Sequence, residues 1–258
     1  MATRTAAGIV MQQGMTAIVN NQFSVRAWSA FAPGLESAED WRAWAAHPRL
    51  PQGDDAPALV EMPAMQRRRL ERLGRMALQV AWRCQPDTAA ALPLVFASRH
   101  GDISRTFEML TGLARGEPLS PTHFGLSTHN AIAAQYSIAR GLTGNYLAVS
   151  ASPEAAEAAV VEALALIADG APEVLVVVYD GPVPADYAEY RDEPEAFYAW
   201  AWRIGPPRAD LPTYSLEPGD GVAAPSGLPH GLDVLRFFLS DETRLRAPQS
   251  GRCWRRHA

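Results

Sequence analysis

The chain of 258 residues is 48% hydrophobic and 20% charged, which suits one large domain with a substantial core. Its formal net charge of −5 gives no reason to expect a nucleic-acid partner or an anionic membrane surface. The two cysteines, Cys84 and Cys253, form neither a metal-binding spacing nor a disulfide framework, so a reducing cytoplasm is the expected location. No uncharged apolar run reaches the ~18 to 20 residues that a membrane span requires.

The chain begins with a predicted leader, a strand and a short helix. Residues 1–16 lack the apolar core of a signal peptide and predict a flexible leader. β-Branched and aromatic residues alternate in part over residues 18–31 and predict a strand, which Pro33-Gly34 ends. Ser37 followed by acidic residues is typical of a helix N-cap, and we expect a short helix up to about Ala46.

A long amphipathic helix is predicted next, over residues 64–85. Cys84 lies on its apolar stripe, which favours a small core residue over a catalytic one. The opposite side of its first half carries an arginine cluster that is most simply a solvated helix face, formed by Arg67, Arg68, Arg69 and Arg72.

The central third of the chain alternates strands and helices. A buried strand over residues 92–98 runs into the polar turn Arg99-His100-Gly101-Asp102, at the carboxyl end of a strand, where α/β proteins place their ligands. From Leu119 to Gly181 the pattern is helix, strand, helix, strand, and both strands are apolar throughout. Because strands without polar alternation are covered on both faces, the sequence predicts an α/β fold.

The last third has a different character. Aromatic residues alternate over residues 196–204 and predict a strand, with residues 214–216 as its partner. An amphipathic pattern over residues 230–240 predicts one helix. Residues 186–258 are therefore predicted to form a small appendage of one or two strands and a helix, packed on the same domain.

The central stretch resembles a known family. It is similar in residues and spacing to the amino-terminal half of β-ketoacyl-ACP synthases, through Leu119-Ser120-Pro121, Asn130, Ser137-Ile138, Gly141-Leu142 and Gly144. The resemblance covers most of residues 18–181. More closely, the chain resembles stand-alone β-ketoacyl-synthase-like amino-terminal domain proteins that accompany bacterial aryl polyene and related pigment gene clusters. The resemblance implies a thiolase-like domain over residues 17–185, with a mostly parallel sheet covered by helices on both faces.

Two departures from the family pattern bear on function. Without gaps from Leu119, the family's nucleophilic cysteine falls on Pro153, which has no nucleophile, and a slip of one residue reaches only Ser152. Ser152 before Pro153 is also a plain helix cap with proline at the first helical position. The chain ends where the half that carries the family's two histidines would begin. We therefore expect no condensation of malonyl thioester by this chain alone.

A different chemistry is the second interpretation. His100 and Asp102 lie on one polar turn, and Ser127 and His129 lie on another. If both turns meet at one end of the sheet, they form a Ser-His-Asp-like set for thioester hydrolysis or acyl transfer, with Ser127 or Ser152 as nucleophile. The simpler interpretation is that the two histidines bond to backbone groups and fix their loops.

Three functions follow from these observations. The first is a non-condensing accessory subunit in acyl-carrier-protein-dependent polyene, polyketide or fatty-acid-type biosynthesis, the second is the acyltransferase or thioesterase, and the third is a pure protein-interaction module. A lone thiolase-like half leaves an apolar face that needs a homodimer or a condensing-enzyme partner. The resemblance also offers the cluster of Arg67, Arg68, Arg69 and Arg72 as a docking site for an acidic acyl carrier protein, whose phosphopantetheine arm would be the ligand. No cofactor or metal is expected.

Overall fold

The computed structural model describes residues 21–85 and 92–257. Within them the eight strands are β1 Gln22–Phe31, β2 Leu94–Ala97, β3 Tyr146–Val149, β4 Val174–Asp180, β5 Tyr198–Gly205, β6 Thr213–Pro218, β7 Arg244–Arg246 and β8 Arg252–His257. They form one sheet in the order β3-β2-β4-β5-β1-β6-β8-β7. The predicted leader, residues 1–16, lies outside the described residues.

Strand direction divides the sheet in two. The strands β3, β2 and β4 are parallel, and every other neighbouring pair is antiparallel. The α/β class is confirmed, but the expectation of a mostly parallel sheet is correct only for those three strands. An apolar run favours a strand that is buried on both faces, but the buried strand β5 is antiparallel to both of its neighbours, so burial does not fix strand direction.

The predicted carboxyl-terminal appendage is instead part of this sheet. Residues 186–258 supply four of its strands, and β5 lies in the middle, between β4 and β1. The reason is the aromatic content of β5, since Trp200 and Trp202 are buried in the core. A strand that carries so much apolar surface is stabilised most when both of its faces are covered.

Helices cover both faces of the sheet, as expected. They are α1 Ala38–Ala46, α2 Ala64–Arg67, α3 Arg72–Cys84, α4 Ile103–Ala114, α5 Pro121–Ser127, α6 Ala131–Arg140, α7 Ala155–Ala168 and α8 His230–Leu239, with a 3-10 helix at Ala185–Tyr190. The helices α1, α7 and α8 contribute to the core on one face, and α3 and α6 contribute to the core on the other. No helix in residues 21–85 and 92–257 combines the length and apolarity that a membrane crossing needs.

The local predictions for the first helices are partly confirmed. Ser37 caps α1 through a reciprocal box with Asp40, as its sequence signature predicts. The single helix predicted over residues 64–85 is wrong, because the chain breaks between α2 and α3. At the break Leu70 turns into the core, and its carbonyl oxygen accepts from Arg75 Nε at 3.3 Å. The hydrogen bond from the Arg75 side chain therefore takes the place of the backbone hydrogen bond that a continuous helix would give to the Leu70 carbonyl oxygen.

Cys84 is a core residue, as predicted. Its thiol donates to the carbonyl oxygen of Ala201 at 3.2 Å, and burial raises the pKa of the thiol far above its usual range. A thiol that stays protonated at neutral pH is a poor nucleophile.

Candidate functional site

The carboxyl ends of the parallel strands bring a buried arginine together with three carboxylates. Arg99 follows β2 and is only 7% exposed. Its Nη1 lies 2.8 Å from Glu193 Oε1, its Nη2 pairs with Asp192, and its Nε lies 3.9 Å from Asp180 Oδ2. We call Arg99, Asp180, Asp192 and Glu193 the Arg99 cluster. It occupies the sheet end where the sequence predicts a ligand site.

Separate segments position the members of the Arg99 cluster. Asp180 is the last residue of β4, the strand beside β2, and its Oδ1 accepts from Ser98 Oγ at 3.4 Å. The same Ser98 hydroxyl accepts from the backbone N–H of Gly101 at 2.8 Å, which shapes the turn after β2. Asp192 and Glu193 follow the 3-10 helix, so that segment is tied down over the strand ends by Arg99.

The Arg99 cluster carries more negative than positive charge. Burial raises the pKa of Asp180 to about 7, with Arg99 opposing the shift and Glu193 adding to it. Burial also raises the pKa of Glu193, against the bond from the His230 backbone N–H and the charge of Arg99. One guanidinium does not neutralise three carboxylates, so the cluster favours proton uptake.

The connection from β3 to α7 differs from its prediction. Glu154 is the N-cap and α7 begins at Ala155, so the interpretation of Ser152 as the cap of this helix is wrong. The Ser152–Pro153 peptide is cis. Ser152 Oγ instead accepts from Arg99 Nε at 3.1 Å and donates to Asp192 Oδ2 at 2.8 Å. The turn thus presents a proline and a hydroxyl that is already engaged in the Arg99 cluster.

The two predicted histidine turns do meet. Gly101 has a left-handed φ of 60°, and a Cβ at this position would lie 2.9 Å from His129 Nδ1, so the turn needs glycine for both reasons. His129 Nε2 lies 3.0 Å from the Val149 carbonyl oxygen. His100 Nε2 is buried and has no hydrogen-bond partner among the described residues, and burial lowers the pKa of His100. His129 therefore bonds to backbone, whereas His100 does not.

The other proposed members of a catalytic set bond elsewhere. Ser127 Oγ donates to the Phe124 carbonyl oxygen at 2.9 Å, within its own helix. Asp102 Oδ2 accepts from Arg105 Nε at 3.2 Å, while burial raises the Asp102 pKa. Within the described part of the chain no hydrogen bond joins Ser127, Ser152 or Asp102 to a histidine. Their catalytic role stays a prediction.

The arginines proposed for carrier docking differ in their exposure and in the groups that they contact. Arg67 donates to the Leu59 carbonyl oxygen at 2.9 Å, and the guanidinium of Arg72 lies 4.2 Å from the centre of the Phe197 ring. Arg68 and Arg69 are exposed. Docking through this cluster is therefore left as a prediction that rests mainly on Arg68 and Arg69.

A second buried ionic cluster lies on α7. Glu157 is fully buried, and its Oε1 accepts from Trp254 Nε1 at 2.6 Å and lies 2.6 Å from His230 Nε2. Burial alone would lower the pKa of His230, but the charge and hydrogen bond of Glu157 outweigh it, and the pKa is raised. We call these three residues the Glu157 cluster. It ties α7 to α8 and to β8.

The two clusters border one cleft of about 240 Å³, which Pro153, Asp192, Glu193, His230 and Asp233 help to line. Ser226 and Gln249 add neutral polar side chains to the lining, and Ser226 Oγ donates to Asp233 Oδ2 at 2.6 Å. In residues 21–85 and 92–257, no group of three or more histidine, cysteine, aspartate or glutamate side chains is placed to hold a metal ion.

The edge strand β3 is flanked by exposed apolar side chains. Among the described strands β3 has β2 as its single neighbour, so its outer backbone groups are unpaired within the sheet. Phe124 on α5 is 59% exposed and Ile138 on α6 is 63% exposed. We call the edge of β3 together with α5 and α6 the β3 face. Leu110 and Leu113 on α4 and Leu119 before α5 are further exposed apolar residues.

Sequence reasoning missed the centre of both clusters. It singled out the turn after β2 but selected His100 and Asp102 there rather than Arg99. The apolar run of β4 ending in Asp180 offered a weak signal, because an acidic residue at the end of a buried strand needs a partner. For Glu157 and His230 the sequence holds no local signal, since 73 positions separate them.

The sequence and the fold of this chain are similar to those of known proteins. The family described as "Beta-ketoacyl synthase, N-terminal domain" matches residues 41–256. A structure of a ketosynthase (ApeO) in complex with its chain length factor (ApeC), from Xenorhabdus doucetiae, matches with 26% identity and a TM-score of 0.80, over 92% of this chain and 99% of that chain.

More distant structures show the same fold. The ishigamide ketosynthase/chain length factor matches with 16% identity and a TM-score of 0.58, over 76% of this chain and 66% of that chain. A type II acyl-carrier protein in complex with its ketosynthase matches with 13% identity and a TM-score of 0.52, over 72% and 63% of the two chains. No curated protein sequence gives a significant match.

Proposed function

Because the chain belongs to the β-ketoacyl synthase amino-terminal domain family, we propose that it is a non-condensing partner subunit of a condensing ketosynthase. In this role it acts like a chain length factor, on acyl chains carried by an acyl carrier protein. It contributes surface and shape to the complex, and the partner contributes the nucleophile.

The observation that carries the proposal is the turn between β3 and α7. Pro153 stands where the family resemblance puts the nucleophilic cysteine, and the adjacent Ser152 hydroxyl is held between Arg99 and Asp192. A serine nucleophile needs a neighbouring base to remove its proton, and the groups around Ser152 are a guanidinium and a carboxylate that already pair with each other. This turn supports a structural role.

The β3 face supports a protein partner. An unpaired strand edge is a template for pairing with another chain, and exposed apolar side chains beside it mark an interaction surface. The match to a ketosynthase complex at nearly full length of both chains supports a partner of that class. We place the contact with the ketosynthase at β3, α5 and α6.

The first test measures condensation. The purified chain, a condensing ketosynthase of the aryl polyene type and its acyl carrier protein are assayed separately and together with malonyl thioester. We expect product only when the ketosynthase is present, and more or longer product when this chain is added. Product formed by this chain and the carrier protein alone would overturn the proposal.

The second test addresses the β3 face. Ile138→Glu places a charge on the proposed contact, and we expect it to weaken assembly with the ketosynthase at least about tenfold, measured by analytical ultracentrifugation. Met65→Glu is the matched control, since Met65 is 77% exposed and lies on α2. Equal assembly of the two variants would place the contact elsewhere.

The acyltransferase alternative is tested in the same assay. If His100 acts as a base, His100→Ala abolishes release of acyl groups from the carrier protein, while His123→Ala, on the exposed surface of α5, leaves it unchanged. No observation in the structure favours this alternative over the partner role.

A further inference from the structure

A basic aromatic groove lies on the sheet face formed by β1 and β6, beside the end of α8. Its volume is about 360 Å³. Its polar side chains are three arginines and Tyr214, and none of the described residues that line it is a carboxylate. We call it the β1 groove, and its aromatic and basic lining residues are Trp28, Tyr214, Phe238, Arg26, Arg42 and Arg256.

Three rings form a continuous apolar floor in the β1 groove. The ring of Phe238 lies 5.9 Å from that of Trp28 and 5.7 Å from that of Tyr214, measured between ring centres. A guanidinium stands over each outer ring, with Arg42 at 5.8 Å from the centre of Trp28 and Arg256 at 5.4 Å from the centre of Tyr214. The ring plane of Phe238 is inclined by 74° to that of Trp28 and by 49° to that of Tyr214, so the rings form an angled apolar surface with a cation on two sides.

The positive charge of the β1 groove is incompletely matched. Arg42 has no ion pair among the described residues, and its one recorded contact is the stacking on Trp28. Arg26 Nη1 is buried without a hydrogen-bond partner in the described part of the chain, although its Nε lies 3.5 Å from Glu173. The Arg256 guanidinium donates to the Phe238 carbonyl oxygen at 2.7 Å and to Tyr214 Oη at 3.1 Å, and its nearest carboxylate is the fully exposed Asp241, at 3.9 Å. Arg42 is exposed, so its guanidinium is the one in the described groove lining that is most open to a bound anion.

We propose that the β1 groove is a binding site for a flat aromatic carboxylate. A guanidinium fork matches the planar carboxylate with two parallel hydrogen bonds, which an ammonium does not provide. The aromatic floor accepts a flat ring by offset or edge contacts, and the volume falls in the range of about 300–1,000 Å³ that is usual for small-molecule sites.

The occupant is a separate molecule rather than this chain's own first residues. Residues 1–20 contain one arginine and no acidic residue, so they do not complement a groove lined by arginines. The site is also distinct from the proposed ketosynthase contact, because β2, β4 and β5 lie between β3 and β1. A ligand in the β1 groove therefore leaves the β3 face free.

The test titrates the full chain with 2-naphthoate by isothermal calorimetry. We expect saturable binding, and at least about tenfold weaker binding of 2-naphthamide, which keeps the ring and lacks the charge. Acetate, which keeps the charge and lacks the ring, is also expected to bind at least about tenfold more weakly. Higher salt should weaken naphthoate binding, since the site is partly exposed.

Variants assign the binding to the β1 groove. We expect Arg42→Gln to weaken naphthoate binding at least about fivefold, while Arg115→Gln, on an exposed arginine that follows α4, leaves it unchanged. Circular dichroism melting verifies that both variants fold. Absence of saturable binding, or equal binding by the two variants, overturns the proposal. Binding of a poly-glutamate peptide without binding of naphthoate overturns it in favour of an acidic protein segment.

Discussion

The two buried ionic clusters of this chain have opposite centres. In the Arg99 cluster one cation faces three carboxylates, whereas in the Glu157 cluster one carboxylate faces an imidazole and an indole N–H. They border the same cleft, and the backbone N–H of His230 donates to Glu193 at 2.9 Å. Both clusters are buried, so the effect of a bound proton on stability depends on which charged groups each cluster contains.

Both clusters take up protons on folding, but in different pH ranges. Asp180 has a folded pKa of about 7 against an ordinary value of 3.8, so the folded chain binds the extra proton between those values and stability falls as the pH rises through that range. His230 has a pKa raised above 6.5, so its stabilising ion pair is present below that pH and is lost as the pH rises through the folded pKa. A proton relieves excess negative charge in the first cluster and creates an ion pair in the second.

The largest predicted loss of stability comes from removing the centre of the Glu157 cluster. Glu157→Ala leaves the His230 imidazolium and the Trp254 N–H buried without their acceptor, and we expect the free energy of unfolding to fall by about 3 kcal/mol. Urea denaturation measures the loss. Glu162→Ala is the control, because Glu162 is exposed on the same helix, and the change should be within about 0.5 kcal/mol. Similar losses in both variants would show that the loss comes from substituting any residue of α7 and not from the Glu157 cluster.

The second prediction concerns the pH dependence of stability, which differs between the two clusters. Asp180→Asn keeps an acceptor for Ser98 but does not titrate, so it removes the loss of stability that Asp180 causes between pH 4 and pH 7. Relative to the wild type, the variant should gain up to about 1.4 kcal/mol per pH unit across that range. Denaturation at a series of pH values measures this, with Asp169→Asn as an exposed control. Parallel pH profiles for wild type and Asp180→Asn would contradict the assignment.

The smallest effect concerns the rim of the Arg99 cluster. Ser152→Ala removes two hydrogen bonds, but Arg99 and Asp192 remain paired and the site is reached by water, so we expect a loss of about 1 kcal/mol or less. Acyl-group release from the carrier protein should be the same as for the wild type. Loss of an existing acyl-transfer activity in Ser152→Ala, but not in Ser150→Ala, would instead make Ser152 a nucleophile.

The elements that the sequence predicts well are those with short-range causes. The Ser37 cap depends on groups three residues apart, and β4 is a continuous apolar run that is buried throughout. The other apolar strand of the central stretch, β3, is only half-buried because it lies at the sheet edge. The break between α2 and α3 is different, because Leu70 leaves the helix to reach a core that only the assembled sheet provides. The place of β5 beside β4 likewise depends on how distant strands pair.

The site was less predictable than the fold, for a related reason. Arg99 lies in a turn that the sequence marks as a ligand site, yet its partners at positions 180, 192 and 193 lie far along the chain. The proposed N-cap at Ser152 followed from a local rule, and the chain instead adds a turn before Glu154 because Arg99 and Asp192 bind the serine. A long-range ionic contact here overrides a local preference.

The opposite edge of the sheet limits how this protein assembles. The strand β7 has only three residues, two of them arginines, and pairs with β8 alone among the described strands. So short an edge offers few backbone groups, and like charges repel a second copy. Among the described strands, β3 is therefore the edge better suited to pair with another chain. If β3 pairs with another chain as proposed, a single pairing edge gives a closed pair rather than a filament.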